Sequence, residues 1–279
     1  MPVQVRYYTD PACSSSWAFE PSLRRLTVEF GADLSFTYVM GGLARDYDAA
    51  AHGWLLRHWL ERAGSSTMPI DPRLWTEAPI TSTYPACMGV KAAAEQGPAA
   101  AERMLRALRE GLLCRRRKLD ATEALVEEAR GAGLDASRYR VDLGSHATVE
   151  AFGADLDEAR NVPQEAHAAG QVSDAWGSRP RLVFPSASFA GADGVRHWAF
   201  GASDLSAWRR AAEAAGATAS GGDLGVEEAL RRFGRLATAE VRAVCGLPGP
   251  RLHAELWRLA AEWRLKPTRV LTGWLWELA

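Results

Sequence analysis

The sequence predicts an α/β fold, and three features of its residue pattern support this prediction. The chain begins with a strand, a helix and a second strand. Helical patterns then replace strand patterns from about residue 48 to residue 175, and strand patterns return near residue 181. A sheet interrupted in this way predicts one domain made of residues 1–47 and 176–216, with residues 48–175 inserted as a helical domain.

The first element is an apolar strand at residues 3–8. Ser14–Phe30 carries apolar residues at helical spacing, and Gly31 follows it as glycine commonly follows a helix end. In Leu34–Met40 the larger apolar side chains alternate with smaller ones, as in a strand. A strand, a helix and a strand in this order predict a parallel βαβ unit.

The inserted segment reads as a series of helices. Asp120 and Glu123 form the pattern of a capping box for a helix that ends near Gly131. The predicted helices cover residues 48–63, 85–96, 98–117, about 121–131, 136–143, 146–161 and 163–175.

The sheet is expected to resume at residues 181–184, with residues 195–200 as the hairpin partner and residues 185–194 as the turn between them. A helix over residues 203–216 follows, with Ser203 as its N-cap. The small, glycine-rich segment 218–225 predicts a linker.

Residues 225–279 predict a helical extension. Four helices are expected, at residues 226–233, 238–244, 250–263 and 267–276. The middle two, joined by Gly246, have the shape of a helix-turn-helix. Nine basic and six acidic residues leave this segment with a modest positive charge. Helix pairs of this kind more often bind protein than DNA, so we expect packing or protein docking.

The composition of the whole chain argues against nucleic-acid binding and membrane association. A net charge of −1 over 279 residues gives no general attraction to nucleic acids or anionic membranes, and no apolar run is long enough to span a bilayer. The N-terminus lacks the pattern of a secretion signal, so we expect a cytoplasmic protein in a reducing compartment.

Four cysteines and six histidines are scattered along the chain. Their spacing does not match a metal site, and we expect none. Cys87, Cys114 and Cys245 are interpreted as small buried apolar residues, although Cys87 is also a candidate remote resolving thiol. Cys13 differs because it stands where a strand passes into a helix, and the free N–H groups there favour the reactive thiolate.

Residues 9–21, with the sequence TDPACSSSWAFEP, carry the strongest family resemblance. They resemble the active site of the DsbA-like thioredoxin-fold family, in particular its FrnE-type branch, whose motif is Asp-Pro-x-Cys-x-x-Cys-Trp-x-Phe-Glu-Pro. Residues 40–43 (MGGL) and 84–88 (YPACM) extend the resemblance, which covers about residues 3–216. It implies a thioredoxin-like fold with a large inserted helical domain and a helical C-terminal extension.

The resemblance also implies the site. Cys13 would be the nucleophile, and Ser16 stands where the family has its second cysteine, so Cys-x-x-Cys has become Cys-x-x-Ser. Pro180 would form a cis peptide bond opposite Cys13. Arg179, just before it, would bring a positive charge that favours the thiolate and attracts anionic thiols such as glutathione.

Further side chains at the start of the helix complete the expected substrate site. They are Ser14, Ser15 and Trp17. The hydroxyl of Ser16 is expected to donate a hydrogen bond to the Cys13 thiolate. Trp54 and Trp59, with His58 and Arg57, are interpreted either as core residues or as the lining of a cleft over Cys13.

Because serine does not resolve a mixed disulfide, we expect thiol–disulfide oxidoreductase or isomerase activity through a single nucleophilic cysteine. The partners would be protein or small-molecule thiols and disulfides, and no cofactor is expected beyond glutathione or another low-molecular-weight thiol. Two alternatives remain open. One is a thiol-dependent transferase or isomerase, which resembles the kappa-type glutathione transferases and would use Ser14, Ser15 or Ser16. The other is a non-catalytic adaptor.

Tryptophan is abundant, with 11 residues, six of them in the last third of the chain. This enrichment predicts either a packed interface between the extension and the body or the contact of a homodimer.

Overall fold

The computed structural model describes residues 1–174, 179–202 and 204–279. The strands are β1 Val3–Thr9, β2 Leu34–Met40, β3 Val172–Ser173, β4 Arg181–Leu182, β5 Ser186–Ala190, β6 Arg196–Phe200, β7 Leu236–Ala237, β8 Leu265–Val270 and β9 Gly273–Leu278. The helices are α1 Ser14–Phe30, α2 His52–Ser66, α3 Leu74–Glu77, α4 Tyr84–Ala94, α5 Pro98–Leu113, α6 Thr122–Gly131, α7 Ala136–Leu143, α8 His146–Arg160, α9 Gln164–Ala168, α10 Leu205–Ala214, α11 Val226–Phe233, α12 Thr238–Cys245 and α13 Gly249–Ala261.

The central sheet has the strand order β2-β1-β5-β6. β1 and β2 are parallel, and their pairing runs from Val3 opposite Leu34 to Thr9 opposite Met40. This confirms the predicted βαβ unit, since α1 connects the two strands. β5 is antiparallel to β1 on one side and to β6 on the other.

The expected hairpin of residues 181–184 with 195–200 is wrong. β6 pairs with β5, which lies inside the segment 185–194 that the small residues suggested was a turn. Pairing on both edges satisfies the backbone of β5, and this tertiary context outweighs the weak strand preference of its residues. Residues 181–182 instead form β4, which pairs with β3 in a separate two-stranded sheet.

Helices cover both faces of the central sheet. On one face, α1 and α10 pack through Phe19 and Trp208, whose rings lie 4.5 Å apart, against Tyr7 of β1 and Phe189 of β5. On the other face, α8 approaches the sheet, and Glu158 accepts a hydrogen bond from the Tyr8 hydroxyl at 2.7 Å.

The helices between β2 and β3 follow the predicted series with several corrections. The short helix α3 was not predicted, and the helix expected over 98–117 ends at Leu113. Asp120 does not cap α6, whose N-cap is Ala121, because the Asp120 carboxylate accepts from the backbone N–H of Thr81. The helix expected over 163–175 ends at Ala168 and gives way to β3; its last predicted residue, Ala175, lies outside the described residues. The predicted N-cap Ser203 also lies outside them, and Asp204 caps α10.

The C-terminal extension contains helices, as predicted, and in addition a three-stranded sheet of order β7-β9-β8. The helix expected at 267–276 is wrong, because residues 265–278 form the β8–β9 hairpin. Pro267 is tolerated there because β8 is an edge strand. The extension has the element order helix, strand, two helices and hairpin.

The hairpin and α12 hold the extension against the rest of the chain. α12 packs along α1, and Glu240 pairs with Arg106 of α5 at 2.6 Å. At the hairpin tip, the Thr272 hydroxyl accepts from the Ile70 N–H at 2.7 Å and donates to the Ile70 carbonyl at 3.0 Å. Among the helices that the structure describes, none is long and apolar enough to cross a membrane.

Candidate active site

Cys13 occupies the N-cap position of α1, directly after the loop that follows β1. Its sulfur accepts a hydrogen bond from the backbone N–H of Ser16 at 3.3 Å. The side chain is 6% exposed. A sulfur at the N-cap faces the positive end of the helix and one of its free N–H donors, so the local backbone stabilises negative charge on it.

Asp10 holds the loop that carries Cys13. One carboxylate oxygen accepts from the Ala12 N–H at 2.7 Å, and the other accepts from the Leu43 N–H and the Thr83 hydroxyl, also at 2.7 Å. Asp10 thereby ties together the end of β1, the turn after β2 and the start of α4. The sequence motif contained this residue, but its anchoring role became visible only in the structure.

The cis peptide bond beside Cys13 is Phe184–Pro185. The Cys13 sulfur lies 3.8 Å from the carbonyl oxygen of Phe184. The prediction of a cis bond at Pro180 is therefore wrong, since the Arg179–Pro180 bond is described and is not cis. A Phe-Pro pair directly before β5 was the signal that could have identified the correct proline.

Arg179 and Pro180 lie away from Cys13, in a separate surface groove with Arg160 and His167. The expected positive neighbour is instead Arg181, two residues later, which lines the cleft at Cys13. Arg181 is the first residue of β4. Its side chain points inward, and the residue is only 3% exposed. Arg179 precedes β4, so the alternation of side chains along the strand does not extend to it, and the register of this segment could not be derived from sequence.

A cleft of about 250 Å³ opens at the cysteine. Ser14 and Ser15 line it, as expected, and their role in substrate binding stays a prediction. Helix α2 forms the opposite wall. Its contributing residues are Trp54, Leu55, His58, Trp59 and Arg62, with the rings of Trp54 and His58 stacked at 4.7 Å.

Trp17 does not line the cleft, in contrast to its predicted role. Its side chain is fully buried, its indole N–H donates to the Pro69 carbonyl at 2.9 Å, and the Arg106 guanidinium lies over its ring at 4.7 Å. Trp17 is thus a core residue that connects α1 to the inserted helices. The helical direction of its side chain, one residue beyond Ser16, turns it away from the sulfur.

Ser16 is fully buried, and its hydroxyl has no hydrogen-bond partner within the described part of the chain. The expected hydroxyl–sulfur hydrogen bond is therefore not formed, and the contact to Cys13 comes from the Ser16 backbone instead. A cysteine at this position would lose no side-chain hydrogen bond.

Cys87 is poorly suited to resolve a mixed disulfide at Cys13. It is fully buried, and its sulfur donates to the Asp10 carboxylate at 3.3 Å. Burial, together with the negative charge of Asp10, raises the pKa of the Cys87 thiol well above its usual value. Cys87 would therefore remain a thiol near neutral pH.

The charge of the cleft is positive. Burial and the nearby charge of Arg62 lower the pKa of His58, so this imidazole is neutral at pH 7. The formal charges that line the cleft are those of Arg62 and Arg181, and no Asp or Glu among the described residues lines it. The described part of the chain also has no grouping of three or more His, Cys, Asp or Glu side chains that would hold a metal ion.

The Thioredoxin family matches this chain over residues 7–167. A curated relative, the ClpXP adapter protein SpxH of Halalkalibacterium halodurans, is 34% identical over 169 residues, which are 58% of this chain and 55% of that protein. The chain thus spans about half the length of the curated relatives that it matches.

Solved structures share the fold at low sequence identity. A candidate protein disulfide isomerase from Nitrosomonas europaea has a TM-score of 0.60 at 20% identity, covering 77% of this chain and 97% of that one. The cytosolic disulfide reductase DsbM from Pseudomonas aeruginosa has a TM-score of 0.54 at 19% identity, covering 70% of this chain and 88% of that one. These likenesses confirm the predicted DsbA-like, thioredoxin-like fold.

Proposed function

The chain belongs to the thioredoxin family, and from this premise we propose that it exchanges thiols and disulfides with Cys13 as a single nucleophile. The position of Cys13 carries the proposal: its sulfur caps α1, accepts the Ser16 N–H and borders the cleft. A helix N-terminus favours the thiolate, which is the reactive form of a cysteine.

Exchange through one cysteine takes two steps. The Cys13 thiolate attacks one sulfur of a disulfide R–S–S–R, forms the mixed disulfide Cys13–S–S–R and releases R–S⁻. A second thiolate R′–S⁻ then attacks the R sulfur, forms R–S–S–R′ and returns Cys13 as a thiolate. Each step moves one electron pair between sulfurs, so no further oxidant or reductant is needed.

The thiol that resolves the mixed disulfide must come from outside the site, because neither Ser16 nor Cys87 can supply it. The Ser16 hydroxyl cannot attack a sulfur usefully, and Cys87 is buried against Asp10. The activity expected from such a site is disulfide isomerisation or the reductive removal of a small thiol from a mixed disulfide. The proposal includes a reducing, cytoplasmic setting, which the four free cysteines support.

The other cysteines provide a matched control for exposure. Cys114 and Cys245 are each 6% exposed, the same fraction as Cys13. Neither lines the cleft at Cys13. Burial raises the pKa of the Cys245 thiol to about 11, with a further contribution from Asp223. An excess reactivity of Cys13 over Cys245 would therefore not come from solvent exposure; it would reflect the helix N-terminus and the cleft at Cys13 together with the raised pKa of the Cys245 thiol.

The test uses the reduced full chain and bis(2-hydroxyethyl) disulfide, with the modified cysteine located by peptide mass spectrometry. We expect Cys13 to form the mixed disulfide at least about tenfold faster than Cys245. The Cys13→Ser variant should lose this modification and keep its thermal stability. Equal rates at Cys13 and Cys245 would refute the proposal.

A ClpXP-type adaptor is the second candidate, and the curated relatives named ClpXP adapter protein SpxH favour it. An adaptor presents a surface and does not need a reactive thiol. It predicts that purified ClpX binds the chain and that the Cys13→Ser variant binds equally well in isothermal titration calorimetry. If neither the wild-type chain nor the Cys13→Ser variant binds ClpX, the adaptor function is refuted.

A further inference from the structure

Arg181 is a buried cation that makes no ion pair with a carboxylate of residues 1–174, 179–202 or 204–279. Its guanidinium donates through Nη1 to the Leu182 carbonyl at 2.9 Å and lies over the Phe184 ring at 4.4 Å. Nε has no acceptor among the described residues. Since a buried guanidinium normally pairs with an anion, this arrangement has an unfilled capacity to bind one.

The charged groups around Arg181 do not fill that capacity. Cys13, Asp10 and Tyr47 are near enough to interact with it electrostatically, and Arg160 opposes them. The Asp10 oxygens are already occupied by donors from other loops. The Cys13 sulfur is the atom that would react, so its charge is consumed when the mixed disulfide forms.

The cleft also limits the size of a ligand. Its volume of about 250 Å³ lies below the roughly 300–1,000 Å³ of pockets that enclose drug-sized molecules. The indole of Trp54, which is 48% exposed, and the buried Trp59 form an apolar wall. A short thiol with a methylene chain and one charged end fits this combination of volume, apolar wall and positive charge.

We propose that Arg181 binds the carboxylate of a small thiol or disulfide and so selects anionic low-molecular-weight disulfides for reaction at Cys13. This inference rests on the proposed thiol–disulfide exchange and adds its substrate class. The disulfide enters with its sulfur at Cys13 and its carboxylate at Arg181. The first step then releases one half as a free thiolate and leaves the other half on Cys13, with its carboxylate still bound.

The test compares three disulfides of similar size that differ in end-group charge. They are bis(2-carboxyethyl), bis(2-hydroxyethyl) and bis(2-aminoethyl) disulfide, which are anionic, neutral and cationic. The rate of mixed-disulfide formation on Cys13 is measured by intact-mass spectrometry and divided by the rate with a small neutral thiol in solution. We expect the anionic compound to react about tenfold faster than the neutral one and the cationic one to react slowest, because a charge-assisted hydrogen bond is involved.

The Arg181→Gln variant should lose this preference, so that the anionic and neutral disulfides react within about twofold of each other. Arg181→Lys keeps the charge and should keep the order of the three rates. If Arg181→Gln does not fold, the order of the three wild-type rates still tests the inference. Arg179→Gln is the matched control, since that arginine lies two residues away in a different groove, and it should leave all three rates unchanged.

Three results separate the possible failures. If Arg181→Gln slows all three disulfides by the same factor, Arg181 acts on Cys13 alone and the inference is overturned. If the wild-type protein shows no dependence on end-group charge, the inference is overturned while thiol–disulfide exchange stands. If none of the three disulfides reacts with Cys13, the proposed function itself fails.

Discussion

Glu20 lies in the Phe-Glu-Pro part of the family motif, and replacing it by glutamine tests whether that motif is structural. Its side chain on α1 is 2% exposed. The carboxylate accepts from Arg109 Nη1 and lies 3.2 Å from Arg24 Nη2 and 3.5 Å from Arg106 Nη1. Glu20 does not line the cleft at Cys13, so we expect the substitution to change stability and not reactivity.

The loss of unfolding free energy in Glu20→Gln depends on which arginines the substitution leaves without a carboxylate partner. At an effective dielectric constant of about 20, a pair of charges at these separations attracts by about 5 kcal/mol. Arg24 and Arg106 keep a second carboxylate, Glu240, but Arg109 keeps only the Thr9 hydroxyl and the face of the Tyr7 ring among the described residues. Removing one partner of a buried pair costs about 3–5 kcal/mol, because the remaining charge stays buried.

The assay is urea unfolding followed by tryptophan fluorescence. We expect Glu20→Gln to lower the unfolding midpoint strongly at an unchanged m-value. Glu123→Gln is the control, because Glu123 pairs with Arg140 on the surface and should leave the midpoint unchanged. The double variant Glu20→Gln/Arg109→Gln should lose less stability than the sum of the two single variants. If Glu20→Gln unfolds at the same urea concentration as Glu123→Gln, the reasoning is refuted.

The ionisation of Glu20 also predicts how the stability of the fold depends on pH. Burial opposes the ionisation of Glu20, but Arg24, Arg109 and Arg106 outweigh it and lower the pKa of this carboxyl. A lowered folded-state pKa means that the contribution to stability is fully present above the unfolded value of about 4.3 and is lost as the pH falls through the folded value. Below about pH 4, the stabilities of the wild type and Glu20→Gln should therefore converge. A constant difference down to acid pH would contradict this.

Three further predictions concern the site. Ser16→Cys should form a disulfide with Cys13 and add dithiol oxidase or reductase activity, measured by insulin reduction; an inactive disulfide would show that the substrate surface has also changed. Gly41→Ala would place its Cβ 2.0 Å from the Phe184 ring, so the cleft wall must shift; we expect a loss of about 1–3 kcal/mol in urea unfolding, and an unchanged midpoint would contradict the close contact. Cys87→Ala should leave the rate of mixed-disulfide formation unchanged, and a slower second step in that assay would restore Cys87 as a resolving thiol.

The fold and the start of the site were predictable because they depend on local patterns. The bounds of α1 and β2 follow from the periodicity of their own residues, and the cap of α1 places Cys13, Ser14 and Ser15 together without reference to the rest of the chain. Most inserted helices were likewise predictable from spacing. The errors within them lie at their ends, where capping depends on competing partners, as Asp120 shows.

The sequence by itself therefore determined the sheet-and-helix framework and the position of Cys13 at the start of α1. The tertiary structure decided which proline and which arginine face that cysteine: Phe184 meets Cys13 across 171 residues, and β4 turns Arg181 inward while Arg179 stays outside. The same holds for β5 and for the β8–β9 hairpin, whose small or mixed residues become strands only when neighbouring strands satisfy their backbone. Such contacts depend on register and long-range pairing, which the pattern of a single segment does not encode.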